Sequence, residues 1–208
     1  KNLVPGQNWN SLWESNFEPV IVGDFCGIRA DFHPPLQYVS HELVINPKMA
    51  FGTGHHETTF MVIEHMRNID FCGKKVLDFG CGTGVLAILA SKLGAKSIVA
   101  ADIEEQSYRN TLENATNNGV ANIEAVCGTL SDVSAGFFEV VLANINRHVI
   151  LGALPTLSKR VLPGGWLVTS GYLLADEQVV TEALKNAGFQ TVNILKQGNW
   201  ISIKSRRD

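Results

Sequence analysis

The sequence lacks most of the signals that place a chain outside the cell or in a membrane. Its four cysteines, Cys26, Cys72, Cys81 and Cys127, are scattered and form no CxxC pair. Neither a disulfide framework nor a cysteine-based metal site is predicted, and the thiols are read as reduced in a cytoplasmic protein. The longest strongly apolar run is Val85-Leu86-Ala87-Ile88-Leu89-Ala90, far short of the ~20 residues of a membrane span. The first residues, Lys1-Asn2-Leu3-Val4-Pro5-Gly6-Gln7, hold no signal-peptide core and no initiator Met, so a trimmed or longer parent chain is expected. Charge of one sign is also scarce. The net charge is −3, no broad cationic surface follows, and direct nucleic-acid binding is not expected. There is no P-loop, no G-x-S-x-G and no internal repeat.

What remains is enough for a folded domain. The 208 residues are 45% hydrophobic and 18% charged, below the usual ~25% charged and unlike a disordered chain. The pattern divides near residue 56. Before it, Trp9, Leu12, Trp13 and Phe17 recur at helical spacing, and Pro19–Val22, Phe25–Phe32 and Glu42–Ile45 read as short strands. Residues 1–56 are thus read as a linker helix and short strands leading into a breaker-rich loop around Phe51, and 57–208 as the main domain.

From Glu57 on, helices and strands alternate. Strands are predicted over Lys75–Phe79, Ser97–Asp102, Ile123–Val126, Phe137–Ala143 and Trp166–Ser170, with a helix between each consecutive pair except the third and fourth. Alternation of this kind gives an α/β, doubly wound, mostly parallel sheet with helices on both faces. Phe189–Lys196 and Trp200–Lys204, joined by Gln197-Gly198-Asn199, form a hairpin. That brings the sheet to seven strands, one of them antiparallel.

Four segments carry chemistry. In Asp78-Phe79-Gly80-Cys81-Gly82-Thr83-Gly84, a buried strand runs through alternating glycines into a helix. Such glycines let a ligand lie against bare peptide at a helix N-terminus. The spacing is G-x-G-x-G rather than the dinucleotide G-x-G-x-x-G, and Asp78 before it suits an ammonium better than a pyrophosphate. Asp102, at the tip of the next strand, is placed to accept from ribose hydroxyls; the alternative is a helix cap. Asn144 ends a central strand, with an uncharged amide to hold a cofactor or orient an amine; the alternative is an Asx-turn opening the next helix. The fourth segment is Phe51-Gly52-Thr53-Gly54-His55-His56-Glu57-Thr58-Thr59. His55, His56 and Glu57 have no third partner at helical spacing, so no metal site is predicted. A covering loop followed by a threonine-capped helix fits better.

Together, Asn46-Pro47-Lys48-Met49-Ala50-Phe51-Gly52-Thr53-Gly54-His55-His56-Glu57-Thr58-Thr59, the glycine loop, Asp102-Ile103-Glu104 and Ala143-Asn144-Ile145 resemble the class I methyltransferases that use S-adenosylmethionine. More narrowly, they are similar to the PrmA family, which methylates large-subunit ribosomal protein eleven. The resemblance implies a Rossmann-like sheet and S-adenosylmethionine as cofactor, bound at Thr59, Gly80, Asp102 and Asn144 and covered by the Phe51 loop; Gly82 of the glycine loop is expected to bind it too. It implies N-methyl transfer to lysine or α-amino groups of a ribosomal protein, and the Asn144 amide is read as positioning the reactants. It also implies an N-terminal recognition domain, for which this sequence has no room. Alternatives are another protein, an RNA or a small molecule as acceptor, a dinucleotide oxidoreductase, and a non-catalytic cofactor-binding module.

Overall fold

The computed structural model describes residues 18–46 and 56–208. The expected Trp9–Phe17 helix and Phe51 lie outside the described residues. Strands β1 (Val20–Val22), β2 (Cys26–Arg29) and β3 (His41–Val44) form a small sheet in that order. After helix α1 (Glu57–Met66) come β4 (Lys75–Phe79), α2 (Val85–Lys92), β5 (Ser97–Asp102), α3 (Glu105–Asn117), β6 (Ile123–Cys127), β7 (Phe138–Asn144) and α4 (Arg147–Arg160). The chain closes with β8 (Val161–Leu173), α5 (Glu177–Asn186), β9 (Phe189–Gln197) and β10 (Trp200–Arg207).

The large sheet has seven strands in the order β6-β5-β4-β7-β8-β10-β9. Strands β4 to β8 pair in parallel, and β10 runs antiparallel to both neighbours. The reversed strand is therefore not at the rim. It is inserted between β8 and β9, which the hairpin geometry alone did not specify.

Period-two alternation divides the core between the two faces. Val76, Val140, Leu142 and Val168 point into one cluster with the apolar side of α1 (Val62, Ile63, Met66), the first six residues of α2, and Val22, Ile28 and Leu43 of the small sheet. Leu77, Val141, Ala143 and Leu167 point the other way, into a cluster with Ile150, Leu154 and Leu157 of α4 and Val180 and Leu184 of α5. Helix α3 is different, because its buried face is polar: Ser107, Asn110, Thr111 and Asn114.

Two stretches depart from the expected boundaries. Pro163-Gly164-Gly165 reads as a break before a strand at Trp166, yet β8 begins at Val161. Phe138 pairs with Val161 and Val140 with Trp166, so residues 162–165 stand opposite Glu139 alone, as an enlarged bulge in β8. At the other end β10 continues past Lys204, because its arginines find partners. Arg206 stacks over Trp166 with its guanidinium carbon 5.5 Å from the ring centre. Arg207 donates to the Ser158 carbonyl at 3.0 Å and the Gly188 carbonyl at 2.6 Å.

Candidate active site

The strand order reverses at β4, whose neighbours β5 and β7 are reached by connections on opposite sides. Open α/β sheets bind ligands in the crevice at such a point. A cavity of about 360 Å³ opens there. One end is made by Gly80, Gly82, Asp102, Ile103, Glu104 and Ser107; the other by Asn144, Ile145, Asn146, Gly171, Trp200 and His56.

The glycine end is built by the turn after β4. Gly80 has φ +79°, and a Cβ there would fall 2.8 Å from Ile145 Cδ1. Only glycine fits both constraints. The loop is then pinned from outside. The Gly80 and Cys81 N–H groups donate to the Ala101 carbonyl at 2.8 and 3.1 Å. The Gly82 N–H donates to Asp102 Oδ2 at 2.9 Å. From α3, Thr111 donates to the Gly82 carbonyl at 3.1 Å and Asn114 to the Thr83 carbonyl at 2.9 Å. Thr111 and Asn114 on the buried face of α3 thus satisfy the backbone of a loop that has no ladder of its own, while the Asn110 amide on the same face is buried without a partner.

Asp102 faces the cavity with both oxygens already engaged, since Oδ1 also accepts from the Glu104 N–H at 3.0 Å. The ribose and helix-start readings of Asp102 are compatible, because each carboxylate oxygen has two lone pairs. Beside it Ile103 is 71% exposed, an apolar side chain held out over the cavity rim.

At the other end Asn144 is 8% exposed. Its amide donates to Thr59 Oγ1 at 3.1 Å, and its Oδ1 is buried with no hydrogen-bond partner. An unpaired buried acceptor on a cavity wall costs free energy unless a ligand N–H meets it. The Asx role falls to Asn146, which accepts from the Val149 N–H at 3.1 Å and opens α4.

Gly80, Gly82, Asp102 and Asn144 thus come together on one cavity, while fully buried Thr59 stands behind Asn144 rather than on the wall. Phe51 and His55 lie outside the described residues. Among the described residues no group of three or more His, Cys, Asp or Glu side chains is placed to hold a metal. His56 caps α1 instead, accepting from the Thr58 N–H at 3.3 Å, and meets the Trp200 ring edge-on at 4.5 Å.

The comparisons decide the family. The family model described as ribosomal protein L11 methyltransferase (PrmA) matches residues 2–208. A ribosomal protein L11 methyltransferase of Porphyromonas gingivalis is 41% identical over 208 residues, 99% of this chain and 72% of that protein. The chain belongs to the PrmA family. The solved L11 methylase of Lactobacillus delbrueckii subsp. bulgaricus superposes with a TM-score of 0.85 at 28% identity, covering 92% of this chain and all of that one. More distantly, the Thermus thermophilus 16S rRNA methyltransferase RsmC, solved with AdoMet and guanosine, shares the fold at TM-score 0.64 and 19% identity, over 76% of this chain and 45% of that one.

Within this PrmA-family site, one expectation is corrected. Asp78 does not face the cavity. It shares the α2 side of β4 with Val76, is fully buried, and accepts from the Ala87 N–H at 3.0 Å while Oδ1 has no partner. Burial, with the nearby Asp102 charge adding to it, lifts its carboxyl to about 7. His65 on α1 shows the opposite case. It donates from Nε2 to the Ser202 carbonyl at 3.3 Å. Burial, helped by the Lys204 charge, pulls it down to about 4.

These two groups work against each other in the stability of the ligand-free protein. Below pH 6.5 the unfolded chain protonates His65 and the folded one does not, so this contribution is lost as pH falls towards 4. Between about 4 and 7 the folded chain keeps Asp78 protonated and the unfolded one does not, so that contribution is lost as pH rises. Together they cancel across roughly pH 4 to 6.5. His65→Gln is therefore expected to tilt stability downward with rising pH there, and Asp78→Asn upward. Each tilt is about 1.4 kcal/mol per pH unit relative to the parent. Urea unfolding at pH 4.5 and 6.5 checks this; parallel pH profiles for all three proteins would contradict it.

Proposed function

We propose that this chain transfers methyl groups from S-adenosylmethionine to amino groups of ribosomal protein L11, lysine or α-amine, in the cytoplasm. The observation that carries the reading is the cavity itself, with a bare glycine backbone and Asp102 at one end and the unpaired Oδ1 of Asn144 at the other. The residues suit the cofactor. Asp102 has lone pairs left for ribose hydroxyls, Ile103 offers an apolar face to a base, and the glycine loop admits the amino-acid part. Thr59 contributes through Asn144, whose amide it holds in place.

When bound, S-adenosylmethionine supplies a methyl group already activated on a sulfonium. The protein therefore needs no covalent nucleophile. Its work is to hold a neutral amine in line and keep water out. An amine of ordinary pKa near ~10.4 is charged at neutral pH. The apolar walls given by Ile145 and Trp200 disfavour the ammonium and ease its deprotonation. Asn144 Oδ1 accepts one N–H of the neutral amine and so aims its lone pair. Asn144 would keep its hold on that N–H during transfer, and the other proton given up by the methylated amine would pass to solvent.

The test of the cofactor reading is a calorimetric titration of the chain with S-adenosylmethionine and, separately, with NAD. Binding of the first alone is expected. Tight binding of NAD without S-adenosylmethionine would restore the oxidoreductase alternative.

A further inference from the structure

The ion pair between Arg147 and Asp176 has no part in the chemistry above, yet its place in the fold is specific. Arg147 is the first residue of α4, immediately after the Asn144-Ile145-Asn146 wall of the cavity. Asp176 closes the turn that follows β8. Its Oδ1 meets the Arg147 guanidinium and its Oδ2 accepts from the Leu173 N–H at 3.2 Å. The same turn reaches the opposite wall. The Leu174 N–H donates to the Asn199 carbonyl at 2.8 Å, and Leu173 pairs with Trp200. The turn 173–176 therefore adds a second tie between the Asn144–Asn146 wall and the Trp200 wall, beside the Ile145 N–H bond to the Ser170 carbonyl at 3.0 Å. The Arg147–Asp176 pair is the ion pair that joins this turn to the start of α4. The side chains are 35% and 17% exposed, so the pair is partly shielded from water and less screened than a surface pair.

We infer that Arg147 and Asp176 are positioning residues: their ion pair sets the spacing between the two walls that hold the acceptor amine. This rests on the methyltransferase reading of the cavity. The glycine end is fixed by a separate set of bonds, from Asp102, Thr111, Asn114 and the Ala101 carbonyl. Loosening the pair therefore disturbs amine placement and leaves the cofactor end intact. Small misplacements of a reacting group cost up to about 100-fold in rate.

The test compares the parent with Arg147→Met, Asp176→Asn, which keeps an acceptor for the Leu173 N–H, and the double variant, with Arg147→Lys as the conservative replacement. Turnover on unmodified L11 is read alongside calorimetric affinity for S-adenosylmethionine and the urea midpoint of the ligand-free proteins. Each single variant is expected to lower kcat by about 10- to 100-fold with cofactor affinity changed less than about twofold. The double variant should be no slower than the slower single, and its midpoint loss less than additive. Arg147→Lys should recover most of the rate. Multiplying single effects, a parallel loss of cofactor affinity, or full activity in the singles would each overturn the inference. Failure of the underlying reading shows elsewhere: the unsubstituted chain would then transfer no methyl group at all.

Discussion

Asp102→Ala is expected to weaken S-adenosylmethionine binding by roughly 10- to 100-fold, from the loss of charge-assisted hydrogen bonds worth about 1–3 kcal/mol. Two effects add in the same direction. The ribose hydroxyls lose their acceptor, and the Gly82 N–H loses the Oδ2 that holds the loop at 2.9 Å. Asp102→Asn separates them, because its amide oxygen still accepts while the charge is gone; an intermediate loss is expected. Calorimetry on folded protein reads both. Unchanged affinity in Asp102→Ala would leave Asp102 a strut for the loop and α3 and remove it from the ligand site.

Gly171→Ala is expected to damage both the fold and turnover. Gly171 lies in β8 at φ +95°, where any other residue is strained by about 1–3 kcal/mol. Here β10 shifts register: Ile201 pairs with Tyr172 and Ser202 with Ser170, so Gly171 is the bulged residue between them. The bulge makes room for the turn after Asn144. An alanine Cβ would fall 2.5 Å from the Ile145 carbonyl oxygen and 2.9 Å from its nitrogen. Those are backbone atoms, so no rotamer change relieves the overlap. Ile145 also donates from its N–H to the Ser170 carbonyl at 3.0 Å, and a shift there carries Asn144 with it. The urea midpoint should fall by an amount equivalent to at least ~1–3 kcal/mol, and kcat by about 100-fold. A stable, fully active Gly171→Ala protein would contradict this account of the acceptor end.

Much of this was legible in the sequence where the signal was local. The β4 and β5 strands appear at the expected residues, because strands buried on both faces are short apolar runs cut off by glycine and charge. The glycine loop, Asp102 and Asn144 were legible for the same reason: each stands at the carboxyl end of such a strand, where the topology forces a cleft. What escaped depends on pairing between distant segments. The insertion of β10 places Trp200 on the cavity, and the one cue for it was an aromatic directly after a tight turn. Gly171 lies just beyond the Trp166–Ser170 strand expected from the sequence; only the longer β8 makes it a glycine inside a strand, a sign of a bulge or a close approach. The purpose of the polar face of α3 could not be read locally, because its partners, Gly82, Thr83 and Asn46, lie far off in the chain. Asp78 misled because chain proximity to the loop says nothing about which face of β4 it occupies.

Methyl transfer from S-adenosylmethionine to amino groups of L11 is the activity proposed for this cavity. Incubating the chain with labelled S-adenosylmethionine and L11 lacking modification, followed by mass spectrometry of the intact protein and its peptides, tests it most directly. Label on L11 amino groups is expected, appearing more slowly in Asp102→Ala and recovering as the cofactor concentration is raised. Cofactor binding with no label on L11, or label only on a different acceptor, would contradict it.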